Sequence, residues 1–178
     1  VLCRELNDYL DSVDIKRIVI TPNEDIDPAV KYHADMAVIH LGLDRILIDR
    51  NQKVLCQKLC EMGFDVKFTD REIKGEYPDD IGLNFAIVGD NIVGRQAFAD
   101  RNLIALTDKL NRVDVKQGYC KCSTLVVSEE AVITDDESVG RNFSDCGIDV
   151  LLISKGDILL EGHGYGFIGG ASCKLSED

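Results

Sequence analysis

The chain has 178 residues, 45% of them hydrophobic and 29% charged, which excludes a disordered tail and is enough for one domain with its own core. Its formal net charge of −12, with no cluster of Lys and Arg, argues against a nucleic-acid or anionic-membrane partner and favours a cationic or neutral small ligand. No run approaches the roughly 18 apolar residues of a membrane span. The amino-terminal VLCRELNDYLDS carries acids where a signal peptide needs a basic end and an apolar run, so the expected location is cytoplasmic.

In chain order, KRIVITP (16–22) reads as a β-branched strand ended by Thr-Pro. MAVIHLGLDRILID (36–49) reads as two strands joined by a turn at Gly42 to Asp44. NQKVLCQKLCEMG (51–63) then opens on an Asn cap and closes on Gly63 as a helix, and FDVKFT is the strand after it. The order recurs. IGLNFAIVGDNIVG (81–94) gives a hairpin around Gly89-Asp90-Asn91, RQAFADRNLIALTDKLN a helix and RVDVKQ a strand. CSTLVVSEEAVITD (122–135) gives a third hairpin, DDESVGRNFSDCG a helix and IDVLLISKG a strand, while DILLEG and FIGGASCKL begin a fourth round. The acids of TDDES suit the start of that third helix, where negative charge meets the amino-terminal dipole.

Equivalent hairpins recur about every 40 to 45 residues, a supersecondary repeat. Each unit is too small to bury its own apolar face, so several must share a centre. Single strands alternating with helices would predict an ordinary doubly wound sheet, and the hairpins break that pattern. The predicted class is α/β, with ββαβ repeats over 16–69, 79–117, 120–154 and 156–178 arranged radially in a single domain of residues 1–178. The last repeat is expected to be incomplete, without its helix and closing strand.

The seven cysteines, at 3, 56, 60, 120, 122, 146 and 173, are odd in number and lack the paired spacing of a secreted framework, so free thiols are expected. Cys56 and Cys60 share a helical face with Leu55 and Leu59 close by and read as core-facing thiols. Cys120 and Cys122 point to one side of a strand, but no second thiol pair or suitably spaced histidine follows, so neither a metal nor a cofactor is expected.

Several residues carry chemistry. His33 and Asp35 lie two apart ahead of an apolar strand, on one side if the chain is extended. Cys173 follows a run of glycines in which Gly169 and Gly170 would let backbone approach a ligand. Asn84 arrives within an apolar strand as a buried polar group wanting a partner. Asp79 and Asp80 in YPDDIGLN suit a turn or a cation anchor. His163, in the loop EGHGYG, is an alternative general base; His40 reads as structural, and Lys121 as a solvated side chain or a carboxylate ligand.

Together TPNEDIDPAVKYHADM, YPDDIGLN, VKQGYCKCS and GYGFIGGAS resemble the guanidine-modifying enzyme superfamily, whose pentein fold is an α/β-propeller of five ββαβ repeats about a pseudo-fivefold axis. The likeness is nearest to an uncharacterised bacterial family with that fold. It implies a cysteine nucleophile near the carboxyl end and an upstream histidine in an H-x-D arrangement. Cys173 matches the first, and His33 with Asp35, about 140 residues earlier, the second. Such enzymes usually add an acid from an earlier repeat to orient the histidine, and here only 32 residues precede His33.

The chemistry suits those types: a thiolate attacks the guanidinium carbon, a histidine moves protons, and acids hold the planar cation. The reading is therefore a hydrolase or transferase of the amidinohydrolase or amidinotransferase kind acting on a guanidino or amidino compound. Cys173 and His33 would be catalytic, with Asp35, Asp80, Asn84, Gly169 and Gly170 binding substrate. The alternative is a non-catalytic module of the same fold that binds a small ligand or a protein. Oligomeric state is open.

Overall fold

The structure is a computed structural model and describes residues 4–174, so Cys3 and residues 175–178 lie outside the described residues. It opens with a helix the sequence reading did not assign, α1 (Arg4–Ser12), which buries Leu10 alone. The expected strand at 16–22 pairs with no strand among the described residues. Ile18 and Ile20 turn inward onto Ile46, Ile48, Leu55 and Leu59, whereas Val19 is 81% exposed. That alternation has the period of a strand. At Thr21 a side chain takes the place of a neighbouring strand: Thr21 N–H donates to Gln52 Oε1 at 3.0 Å, and Gln52 Nε2 donates to Thr21 O at 2.6 Å.

Three units of one build follow. In the first, β1 (Val38–His40) and β2 (Arg45–Ile48) form a hairpin, α2 (Lys53–Glu61) crosses over, and β3 (Asp65–Phe68) returns parallel to β2. The second has β4 (Ala86–Val88), β5 (Asn91–Gly94), α3 (Arg101–Leu106) and β6 (Asn111–Asp114). The third has β7 (Thr124–Val126), β8 (Ala131–Thr134), α4 (Glu137–Asp145) and β9 (Asp149–Leu152). The fold is thus mixed α/β with three separate three-stranded sheets, each centred on the second strand of its hairpin. The parallel pairs open at equivalent places, Arg45 opposite Asp65, Asn91 opposite Asn111 and Ala131 opposite Asp149. The central strands are the more buried, as Ile46, Leu47 and Ile48 show, and the returning parallel strands carry charges such as Asp65, Lys67 and Asp149.

The helices differ from expectation in detail. The cap of α2 is Gln52 rather than Asn51, and its amide is engaged with Thr21; Gly63, at φ +96°, follows the helix as expected. The single helix expected across 95–111 is broken into a 3-10 turn (Gln96–Phe98) and α3, because Asp100 turns its carboxylate to the Asn102 amide and restarts the helix. The same carboxylate accepts from the amide of Asp70, tying the second unit to the first. In α2 the buried ridge is Leu55 and Leu59; Cys56 is half-buried and Cys60 exposed, so the two thiols do not both face the core.

Cys120 and Cys122 lie in a turn ahead of β7 and serve different clusters. Cys122 joins Met36, Leu47, Leu83, Phe85 and Ile92 in a core shared by all three units. Cys120 packs with Val88, Val93, Val132 and Phe143 between the second and third. After β9 the described residues form turns, and the fourth hairpin is not built among them. Instead Ala171 N–H donates to Phe167 O and Ile168 O, coiling the glycine-rich segment where an extended strand was expected. Among the described residues no helix is long and apolar enough to cross a membrane.

Candidate functional site

Each hairpin is preceded by a tight turn, and these turns meet. In the first unit Met36 N–H donates to His33 O and Ala37 N–H to Ala34 O; in the second, Asn84 N–H donates to Ile81 O; in the third, Ser123 N–H donates to Tyr119 O and Thr124 N–H to Lys121 O. The glycine-rich turn 167–171 joins them through Gly170 N–H, which donates to Cys122 O at 3.0 Å. Asn84 is the knot. Its Oδ1 accepts from Cys122 N–H at 3.2 Å, and its Nδ2 lies 3.0 Å from Cys122 Sγ, 3.2 Å from Met36 Sδ and 3.5 Å from Asp35 O. The buried amide expected to want a partner thus finds one on each neighbouring turn.

The meeting of these turns brings His33, Asp35 and Cys122 together, with one donor atom from each lying within 4.8 Å of the others. Cys122 is 2% exposed. His33 Nδ1 and Asp35 Oδ2 are shut from solvent without a hydrogen-bond partner among the described residues. Burial pushes the Cys122 thiol well above the usual thiol range, and the Asp35 charge beside it adds to that, so the resting side chain is a thiol. Cys120, wholly enclosed, is pushed up to about 12 by the same burial.

A cavity of about 330 Å³ opens on the cluster, lined among others by His33, Cys122, Tyr119, Tyr165, Phe167 and Asp27. Its aromatic wall is continuous: the rings of Tyr119 and Phe167 are 6.3 Å apart, and those of Tyr165 and Phe167 meet edge to face at 5.8 Å. Tyr119 is anchored by donating its hydroxyl to Asp80 Oδ2 at 2.8 Å. Desolvation raises the pKa of the buried Asp80, which the Tyr119 hydroxyl partly offsets. His163 lies 3.5 Å from Asp27, and both line the cavity.

The other sequence candidates fall as follows. Cys173 is exposed and stands outside the group that holds His33 and Asp35, whose thiol is Cys122. Gly170 faces His33: a Cβ there would sit 3.5 Å from Nδ1. Gly169 makes room for protein rather than ligand, because a Cβ would run into the carbonyl oxygens of Lys121, Cys122 and Thr124. Lys121 donates to Thr124 O at 3.2 Å, and His40 Nε2 is 2.8 Å from Leu43 O. Asp79 is exposed. Cys122 and Tyr119 carry no local motif; the signal that finds them is repeat register, since GYCKCS stands ahead of its hairpin as HADM and IGLN stand ahead of theirs.

Chemically, the cluster offers a nucleophile-capable thiol, an imidazole and a carboxylate beside an aromatic, acid-bearing cavity. Thiol, imidazole and carboxylate are also a donor set that can hold a metal ion. A family model described as "Family of unknown function (DUF6873)" matches residues 2–178, so the chain belongs to that family. No curated protein matches it. Among solved structures it is similar to SxtG, an amidinotransferase from Microseira wollei in the saxitoxin biosynthetic pathway, with 14% identity and a TM-score of 0.49 over 67% of this chain. The match spans 41% of the SxtG chain, about two fifths of its length.

Proposed function

We propose that this DUF6873 protein is a pentein-type enzyme acting on a guanidino or amidino compound through the Cys122 thiol and His33. The observation that carries the reading is that His33 and Cys122 line one cavity with an aromatic wall, with Asp35 gathered beside them. The three ββαβ units, with the turns from 33–37, 81–84 and 119–124 gathered at one place, support the radial arrangement expected of that fold. The net charge of −12 and Asp27 in the lining suit a planar cation. The catalytic thiol of this proposal is Cys122 and not Cys173, because Cys122 is the one beside His33.

In the resting protein the thiol holds its proton. A cationic ligand in the cavity beside Cys122 favours the thiolate, with the proton passing to His33. The thiolate sulfur adds to the amidino carbon, the bond to the departing nitrogen breaks, and His33 gives that nitrogen its proton. Neutral His33 then takes a proton from water as the water oxygen adds to the same carbon, and the C–S bond breaks to restore the thiolate. With an amine in place of water the sequence is a transfer. Asp80 acts through the phenol it anchors, holding the Tyr119 ring in the wall.

A second reading, a binding module without turnover, is favoured by the depth of Cys122 and its raised pKa. The test is an amidine electrophile such as chloroacetamidine against its neutral analogue chloroacetamide, with labelled peptides found by mass spectrometry. The expected result is amidine-selective labelling of Cys122 that slows in His33→Ala and is blocked by guanidine. Equal rates for the two reagents, or amidine-selective labelling confined to Cys173, would sink the enzyme reading. Guanidino compounds that bind and protect Cys122 but are never consumed would establish the binding module.

A further inference from the structure

We propose that His33, Asp35 and Cys122 bind one zinc ion, with its open coordination position facing the cavity. The inference does not rest on the guanidine chemistry above: a protein with no such activity would bind the ion equally well.

A thiolate, an imidazole and a carboxylate are the three side-chain types that zinc takes, and three protein ligands with one free position is the arrangement of an open zinc site. The donor atoms lie within 4.8 Å of one another. Ordinary zinc bond lengths in a tetrahedron place donors roughly 3.3–3.7 Å apart. The set therefore closes with side-chain rotations of about an ångström, and His33 and Asp35, on a turn and only half-buried, are free to make them. Among the described residues no other trio of metal-ligating side chains comes this close.

Three further observations point at an ion. His33 Nδ1 and Asp35 Oδ2 are buried polar atoms without hydrogen-bond partners among the described residues, an arrangement that is costly unless something accepts or ligates them. The Asn84 amide sits 3.0 Å from Cys122 Sγ, where it would donate to a metal-bound thiolate and hold it in place. Finally, the charge balances: a dication replaces the thiol proton, which leaves to solvent, and meets a thiolate and a carboxylate in a site shielded from water. The cavity lining supplies the free side, so a water or a small anionic or neutral ligand would complete the coordination. Zinc on Cys122 also excludes thiol chemistry there, which would make the ion a reversible inhibitor of the enzyme proposed above.

The test uses the full chain, stripped with a chelator and titrated with Zn²⁺ against a chromophoric competitor, then with Co²⁺ for its spectrum. Expected are one ion per chain and, with Co²⁺, a thiolate-to-metal charge-transfer band with strong tetrahedral visible bands. Cys122→Ser should abolish the charge-transfer band, and His33→Gln and Asp35→Asn should each weaken binding by about tenfold or more, by comparison with the loss seen when metal-site residues are replaced. Cys60→Ser and Cys173→Ser should leave both readouts unchanged. A wild-type chain that binds no ion at stoichiometric Zn²⁺, or a Cys122→Ser chain that keeps the charge-transfer band, overturns the proposal. Should Cys122→Ser fail to fold by circular dichroism, His33→Gln decides, and undiminished affinity in it overturns the proposal equally. Zinc binding with no guanidine turnover even in the chelator-stripped chain leaves this inference standing and removes the other; turnover by a chain that binds no zinc does the reverse.

Discussion

Replacing Asn84 by alanine tests whether one amide holds the site together. The side chain is 1% exposed, and it accepts from the Cys122 amide while its Nδ2 reaches Cys122 Sγ and Met36 Sδ. Truncation leaves the Cys122 N–H buried without an acceptor, which costs about 1–3 kcal/mol, while the contacts to sulfur are weak and cost little. The void left by the carboxamide adds a smaller amount, because the packed turns around it close only in part. The sum is about 2–3 kcal/mol, or roughly 4–12 °C in Tm for a chain of this size. Urea unfolding should show the loss as a lower midpoint at unchanged slope. The same variant should label faster at Cys122, since the turn carrying it is no longer tied to the second unit. A variant within about 0.5 kcal/mol of wild type, with Cys122 labelling unchanged, would refute the idea that Asn84 positions Cys122.

Gly169→Ala presses a methyl onto three backbone carbonyl oxygens that cannot swing away and should cost about 3 kcal/mol, whereas Gly170→Ala, whose Cβ makes an ordinary contact with His33, should stay within about 0.5 kcal/mol; equal thermal shifts would refute the contrast. Asp100→Ala removes the cap of α3 together with the acceptor for the Asp70 amide and should lower stability by about 2–4 kcal/mol in denaturant unfolding, while a loss below about 1 kcal/mol would mean the two units are joined elsewhere. Asp135 is buried with one oxygen lacking a partner among the described residues, and desolvation raises its pKa, so the native state holds that proton to higher pH than the unfolded chain does. Stability from this group is greatest below the unfolded value of about 3.9 and falls as pH rises through the raised native value. Asp135→Asn should therefore gain on wild type as pH rises from about 4 to 7, and parallel stability curves would show that the carboxyl ionises without cost.

The three complete units were legible because their hairpin, helix and return strand each follow a local rule: β-branched runs such as AVIT and RILI, a glycine after the helix at Gly63, an aspartate before α4 that caps it. What failed was tertiary. Residues 16–22 have a strand's alternation but a side chain, Gln52, for a neighbour, and no property of KRIVITP reveals that. FIGGAS has a strand's apolar and small residues, yet it turns on itself and packs Gly169 against the carbonyls of Lys121, Cys122 and Thr124. At the site, Asn84 is legible as a polar group within an apolar strand, His33 and Asp35 as a spaced pair ahead of one, and Asp80 as a turn or anchor residue. Nothing in the sequence joins Cys122 to the site, because its partners are 38 and more positions away, and only the overlay of one turn on the next brings them near.

Every strand pair in the three sheets joins residues no more than 20 positions apart, as Arg45 with Asp65 and Asn91 with Asn111 show. The bonds that gather the site span 38 positions from Asn84 to Cys122 and 48 from Cys122 to Gly170. Short loops close quickly and long ones slowly, so during folding the ladders can form before the cluster exists. The same inequality operates in the native ensemble, where separation of the turns leaves each ladder whole. His33 and Cys122 are therefore neighbours only while the units are docked, and any force, ligand or partner that shifts one unit against another acts on this cluster first and on the secondary structure last.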